Sequence, residues 1–311
     1  MYGNLTQRSI LMSRQVQIGL CTLARLAYYR SQALADKAGK GFGALETQIV
    51  DRTALGDPSM LIAKGVDQSI IAIEGTTGFE QWLTHLRSNL KSESGDYPGK
   101  TQDGFRQFAF RGLPIVLDEL NAQPRKTLVL VGHSLGGAMA QLIGYRIMKE
   151  FPGRLSAIFT IGSPKVGDGV WAQESRLPHV RLCAVDDPVT ASPPYGFEFG
   201  FGDGLQIRLS DLPWAHCGKP LWLNDEGQLA DAHNENDALW TQTLNLGPIP
   251  LLQFPAFGPH KMDQYLLRHS KGTRRVGNEA SKAWRSVNNS INESEGLQWR
   301  MGSGPKRRPD P

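Results

Sequence analysis

Ser134 lies in Gly132-His133-Ser134-Leu135-Gly136, a Gly-x-Ser-x-Gly pattern. A serine hydroxyl attacks a carbonyl once a base removes its proton, and in this pattern the serine sits on a tight strand-to-helix turn with its Oγ presented. The pattern is short, so its weight rests on context. Thr127-Leu128-Val129-Leu130-Val131 is a continuous apolar run, as in a strand buried on both faces. It leads straight into the motif, and Leu135 to Glu150 is helical in pattern. Glycines on either side leave room where a side chain would clash across so sharp a turn. The helix N-terminus offers N–H groups and a positive dipole end to a developing oxyanion, and the N–H of Leu135 is the donor next to the nucleophile. The plain alternative is an ordinary glycine-rich turn.

The elements that must hold such a turn recur along the chain. Residues 14 to 37 predict a long N-terminal helix, with Ile18, Cys21, Leu23, Ala24 and Ala27 near helical spacing. Residues 60–63, 70–73, 157–161 and 180–185 predict strands, Leu221-Trp222-Leu223 a further one, and residues 101 to 121 a helix. Strands alternating with helices imply an α/β fold with a mostly parallel sheet, whose active sites lie beyond the carboxyl ends of the strands.

The 311 residues, 40% hydrophobic with seven Trp, seven Tyr and twelve Phe, exclude a disordered chain. Three widely spaced cysteines (Cys21, Cys183, Cys217) exclude a disulfide scaffold and read as buried thiols; without a Cys-x-x-Cys pair a structural zinc site has weak support. The apolar stretch Val16 to Tyr29 is broken by Gln17 and Arg25, too short to span a bilayer, and no clear signal-peptide pattern is present. The expectation is a chain that is cytoplasmic or exported without a recognisable signal. Residues 271–311 carry nine basic and four acidic side chains, +5, which leaves −1 of the total +4 for residues 1–270. The basic balance therefore belongs to a solvated, disordered tail following a domain at 1–270, and nucleic acid is not an expected partner.

Catalysis at Ser134 needs a neutral imidazole and a carboxylate to orient it. After Ser134 the best-placed acids are Asp186 and Asp187, just past the strand at 180–185. Four histidines follow: His216, His233, His260 and His269. His233 sits in a polar run and reads as surface. His269 falls at a helix end, where a cation suits the dipole. His216 precedes the strand at 221–223, and His260 follows Phe257-Gly258-Pro259 at a helix start.

Taken with other segments, the elbow resembles the class 3 (fungal-type) lipases of the α/β-hydrolase fold. Gly75-Thr76 at a strand end is similar to the family's oxyanion loop, and Phe79-Glu80-Gln81-Trp82-Leu83 to its lid helix. Gly104-Phe105 matches the opening of its next helix. The run Phe159 to Asp168, Asp187-Pro188-Val189 with Pro193-Pro194, and His260 to Leu266 follow in the family's order. The resemblance covers roughly residues 15 to 270. It implies a mostly parallel sheet flanked by helices with a helical lid, and a triad of Ser134, Asp187 and His260. It also implies Thr76 beside Leu135 as oxyanion donors. Phe79, Trp82, Leu83 and Leu86, at i, i+3, i+4 and i+7, would form the apolar face of the lid, where the bland reading is core packing. Glu74 stands where the family usually has arginine, so its partner must differ here, and Asp103 replaces a frequent histidine. The implied activity is hydrolysis of lipid esters such as triacylglycerols at an interface, with no metal or organic cofactor. A phospholipase A1, a soluble-ester carboxylesterase, or a non-catalytic lipid-binding protein on the same fold are the alternatives.

Overall fold

The computed structural model describes residues 4–76, 92–93, 96–187, 189–190, 198–200, 206–208, 214–230 and 262–271. Eight strands form the central sheet: β1 (Glu46–Val50), β2 (Met60–Lys64), β3 (Gln68–Ile73), β4 (Thr127–His133), β5 (Leu155–Ile161), β6 (His179–Ala184), β7 (Lys219–Leu223) and β8 (Leu229–Ala230). They lie side by side in chain order. β3 through β7 run parallel, and β1, β2 and β8 are antiparallel to their neighbours.

Seven helices are described: α1 (Gln7–Met12), α2 (Arg14–Tyr29), α3 (Gln32–Gly41), α4 (Asp103–Ala122), α5 (Leu135–Glu150), α6 (Gly169–Glu174) and α7 (Met262–Lys271). The side chains of each strand alternate between two cores, as the pleat requires. Leu128 and Leu130 face a core built with α4 and α5. Val129 and Val131 face the other, built with α1, α2, α3 and Tyr265 of α7. Each fully buried Leu, Ile or Val in these layers contributes about 1.5–3 kcal/mol. Such two-sided burial is why the strands read as continuous apolar runs.

The expected strands and the helices 101–121 and 135–150 are present within a few residues. The helix expected over 14–37 is instead two. Arg30 adopts a left-handed conformation (φ 52°) that ends α2, its N–H donating to Leu26 O at 3.2 Å. The three cysteines are buried free thiols, as expected. Short strands at 92–93, 101–102, 167–168 and 214–215 form a second sheet, and 198–200 pairs with 206–208. Among the described residues no helix is long and apolar enough to cross a membrane.

Candidate active site

β4 ends at His133 and α5 begins at Leu135, so Ser134 occupies the whole of the turn. Its backbone is at φ 56°, ψ −123°, a region that costs about 1–3 kcal/mol for a residue with a side chain. The turn is held by Ser134 N donating to Ile161 O (3.0 Å) and by Ser134 O accepting from the N–H groups of Gly137 (2.9 Å) and Ala138 (3.2 Å). A Cβ on Gly132 would collide with the carbonyl of Gly136, and one on Gly136 would meet Glu74 O at 2.6 Å. These two glycines let the first turn of α5 pass against β4 and the end of β3. Ser134 itself is buried, 1% exposed, although the turn pattern predicts a presented hydroxyl. One reason is the loop Glu74-Gly75-Thr76, which follows β3 and lies directly on the serine: a Cβ on Gly75 would stand 3.0 Å from that of Ser134. The structure thus sets Gly75, the residue before Thr76, against Ser134, with Leu135 next in the chain.

Asp186 and Asp187 follow β6, two strands from β4, and their surroundings separate them. Asp186 is partly exposed and forms a two-pronged ion pair with Arg268 of α7, Arg268 Nη2 donating to Asp186 Oδ2 at 2.7 Å. Asp187 is buried, 2% exposed. Its Oδ1 accepts from Val189 N (2.8 Å) and its Oδ2 from the Tyr265 hydroxyl (2.6 Å). Tyr265 also accepts from Ala184 N (2.9 Å), and burial beside the Asp187 carboxylate raises its phenol well above the ordinary range. Both acidic side chains are therefore tied to the helix that begins two residues after His260.

His260, Phe79, Trp82, Leu83 and Leu86 lie outside the described residues, as do His233 and the tail. His216 donates from Nε2 to Thr190 O (2.6 Å), its one hydrogen bond among the described residues, and burial with Arg181 nearby holds it neutral. His269 corrects an expectation. It is not a cation at a helix end but a fully buried neutral imidazole, its pKa lowered to about 3 by burial and by Arg14. The cause is packing: Arg14 of α2 donates from Nε and Nη2 to His269 O (3.1 and 2.8 Å) and reaches Gly227 O, which seals the last turn of α7 against α2. His179, fully buried on β6, contacts Thr160 Oγ1 at 2.8 Å and is likewise lowered to about 3 by burial, with Arg181 adding to the effect.

The residue that stands where arginine is usual has found its partner. Arg30 donates from Nη2 to both carboxylate oxygens of Glu74 (2.9 and 3.2 Å), and Ser59 N donates to Glu74 Oε2 (2.9 Å). The cation is supplied from the cap of α2. Further along, Asp168 caps α6 through Trp171 N (2.9 Å) and accepts from Lys100 N (3.0 Å), while Ser163 accepts from Gln141 Nε2 of α5 (2.9 Å). The run from Phe159 to Asp168 therefore packs and caps the elements around the turn. Among the described residues no group of three or more His, Cys, Asp or Glu is placed to hold a metal ion.

The family profile described as lipase (class 3) matches residues 70–197, which contain the turn, the loop after β3 and both aspartates. Over these residues the chain is similar to the class 3 lipase family. It is similar to a lipase of Rhizopus niveus, 31% identical over 140 residues that cover 42% of this chain and 36% of that one. It is also similar to a lipase of Rhizomucor miehei, 26% identical over 185 residues, 56% of this chain and 47% of the relative. The chain spans between a third and a half of the length of these curated relatives. Among solved structures, the Rhizomucor miehei triacylglyceride lipase superposes with a TM-score of 0.52 at 20% identity, over 74% of this chain and 88% of that one. A triacylglycerol lipase whose catalytic centre is described as a serine protease triad matches equally well, at TM-score 0.52 and 20% identity, covering 74% and 87%. The chain thus has the α/β-hydrolase fold, a mostly parallel sheet with flanking helices.

Proposed function

We propose that this protein is a serine hydrolase of lipid carboxylic esters, triacylglycerols in the first instance, acting through Ser134, Asp187 and His260. The observation that carries the reading is the strained turn at Ser134, with the loop of Thr76 packed on it and a buried, hydrogen-bonded Asp187 at the same edge of the sheet. The relatives named lipases support the substrate class.

In this reading Ser134 Oγ attacks the ester carbonyl as His260 takes its proton. Asp187 holds the imidazole in the tautomer that can accept it and stabilises the imidazolium. His260 is two residues from Met262, a reach of at most ~7 Å, and Tyr265 and Arg268 on that same helix contact the two aspartates. The N–H of Leu135, at the positive end of α5, and Thr76 bind the oxyanion. The alkoxide leaves with the proton from His260, and the acyl group stays on Ser134. Water, deprotonated by the same imidazole, then releases the fatty acid and restores Ser134. A cover that moves aside before a lipid ester enters belongs to this reading, and the stripe Phe79, Trp82, Leu83 and Leu86 is the segment assigned to that lid.

The test is hydrolysis of an ester series from short to long acyl chains, with emulsified triacylglycerol and phospholipid, by wild type and Ser134→Ala. Long-chain activity that vanishes in the variant supports the lipase reading. Activity on phospholipid or on short soluble esters alone reassigns the substrate to a phospholipase A1 or carboxylesterase class. A folded wild type without Ser134-dependent hydrolysis of any ester overturns the proposal in favour of lipid binding without turnover.

A further inference from the structure

We infer that Tyr28 is a positioning residue for the oxyanion hole, its hydroxyl fixing the loop that carries Thr76 against the turn that carries Ser134. The inference rests on the reading of Thr76 and Leu135 as oxyanion donors. Tyr28 belongs to the last turn of α2, a helix that supplies no residue to the proposed triad. Its hydroxyl makes two hydrogen bonds. It accepts from Gly75 N at 2.9 Å and lies 2.6 Å from His133 Nδ1. An amide N–H only donates, so the hydroxyl oxygen accepts from Gly75, and the same hydroxyl pairs with His133 Nδ1.

Gly75 immediately precedes Thr76, and His133 immediately precedes Ser134. One oxygen atom therefore joins the neighbours of the oxyanion donor and of the nucleophile. Burial, and the Glu74 carboxylate nearby, push the phenol up, so the hydroxyl keeps its proton. The cap of the same helix grips the preceding loop residue, because Arg30 holds Glu74 through both carboxylate oxygens. Nothing larger than glycine fits between these groups: a Cβ on Gly75 would lie 2.6 Å from His133 O and collide with the Tyr28 hydroxyl.

Oxyanion donors act only at about 2.7–3.1 Å from the developing charge. A displacement of ~1 Å can cost ~100-fold in rate. Tyr28→Phe keeps the ring and removes the shared oxygen. The expected result is a drop in kcat of ~10–100-fold with KM changed less than ~2-fold. A second readout isolates the role. Sulfur accepts hydrogen bonds poorly, so an intact hole prefers an ester to the matching thionoester, and Tyr28→Phe should narrow that preference. Hydrogen exchange of the Gly75 amide should also quicken in the variant while its circular dichroism stays that of the wild type and its thermal midpoint falls by only a few degrees. Wild-type turnover matched by Tyr28→Phe overturns the inference alone. So does a slower variant whose ester preference and Gly75 exchange are those of the wild type. A wild type with no Ser134-dependent turnover overturns the hydrolase reading and this inference with it.

Discussion

The Tyr265 hydroxyl donates to Asp187 Oδ2 at 2.6 Å, tying helix α7 to the loop after β6. Since His260 precedes α7 by two residues, the contact couples the proposed acid and base of the triad through a single buried side chain. It also separates Asp187 from its neighbour. Asp186 faces Arg268 at the partly exposed rim, whereas Asp187 has its two oxygens engaged inside by Val189 N and Tyr265.

Asp187→Asn should therefore reduce kcat by ~10⁴-fold, through loss of the tautomer that lets His260 accept a proton. Asp186→Asn should leave kcat within ~3-fold, because it weakens only a rim ion pair worth ~1 kcal/mol or less. Steady-state hydrolysis of one soluble ester by both variants checks the assignment; equal losses would contradict it.

Removing the hydroxyl in Tyr265→Phe leaves the buried N–H of Ala184 without its acceptor and Asp187 without one donor. Destabilisation of about 1–3 kcal/mol is expected. Urea unfolding at neutral pH reads it directly.

Ser134 keeps a side chain at φ 56°, ψ −123°. Ser134→Ala and Ser134→Gly both lose the hydroxyl, but only glycine relieves the backbone. Both should be inactive, with the glycine variant more stable than the alanine variant by ~1 kcal/mol. Thermal unfolding of the pair measures the strain stored at the nucleophile.

His179 and His269 are buried neutral, each with its pKa lowered to about 3 from the ordinary 6.5. Between those values the unfolded chain binds protons that the folded chain refuses, so stability falls as pH drops from about 6.5 towards 3 and is fully retained above. Each histidine steepens the loss by up to ~1.4 kcal/mol per pH unit. Among the described residues neither ring nitrogen of His269 has a hydrogen-bond partner, so His269→Leu forfeits no hydrogen bond there. Urea melts at pH 4, 5 and 6 should show a shallower slope in this variant by up to that amount.

What was legible in the sequence followed from local pattern. Residues 127–131 announce a doubly buried strand because both faces of β4 carry apolar side chains, and the glycines around Ser134 announce a turn because the backbone crosses at contact distance. What was not legible depended on distant partners. The helix expected through residue 37 breaks at Arg30, whose left-handed cap brings its guanidinium to Glu74, 44 positions away. His269 read as a helix-end cation because nothing nearby in sequence reveals Arg14 closing over the last turn of α7. Tyr28 carried no signal beyond its place at the end of an apolar helix. Its oxygen acquires a role only when folding sets Gly75 and His133 on either side of it.

The central claim is that Ser134 is an activated nucleophile whose base is His260. Its most direct test is labelling with a fluorophosphonate, followed by peptide mass mapping of wild type and His260→Ala. The account predicts one adduct, on Ser134, formed readily in the wild type and lost or greatly slowed in the variant. An unlabelled but folded wild type, an adduct on another serine, or equal labelling without His260 would contradict it.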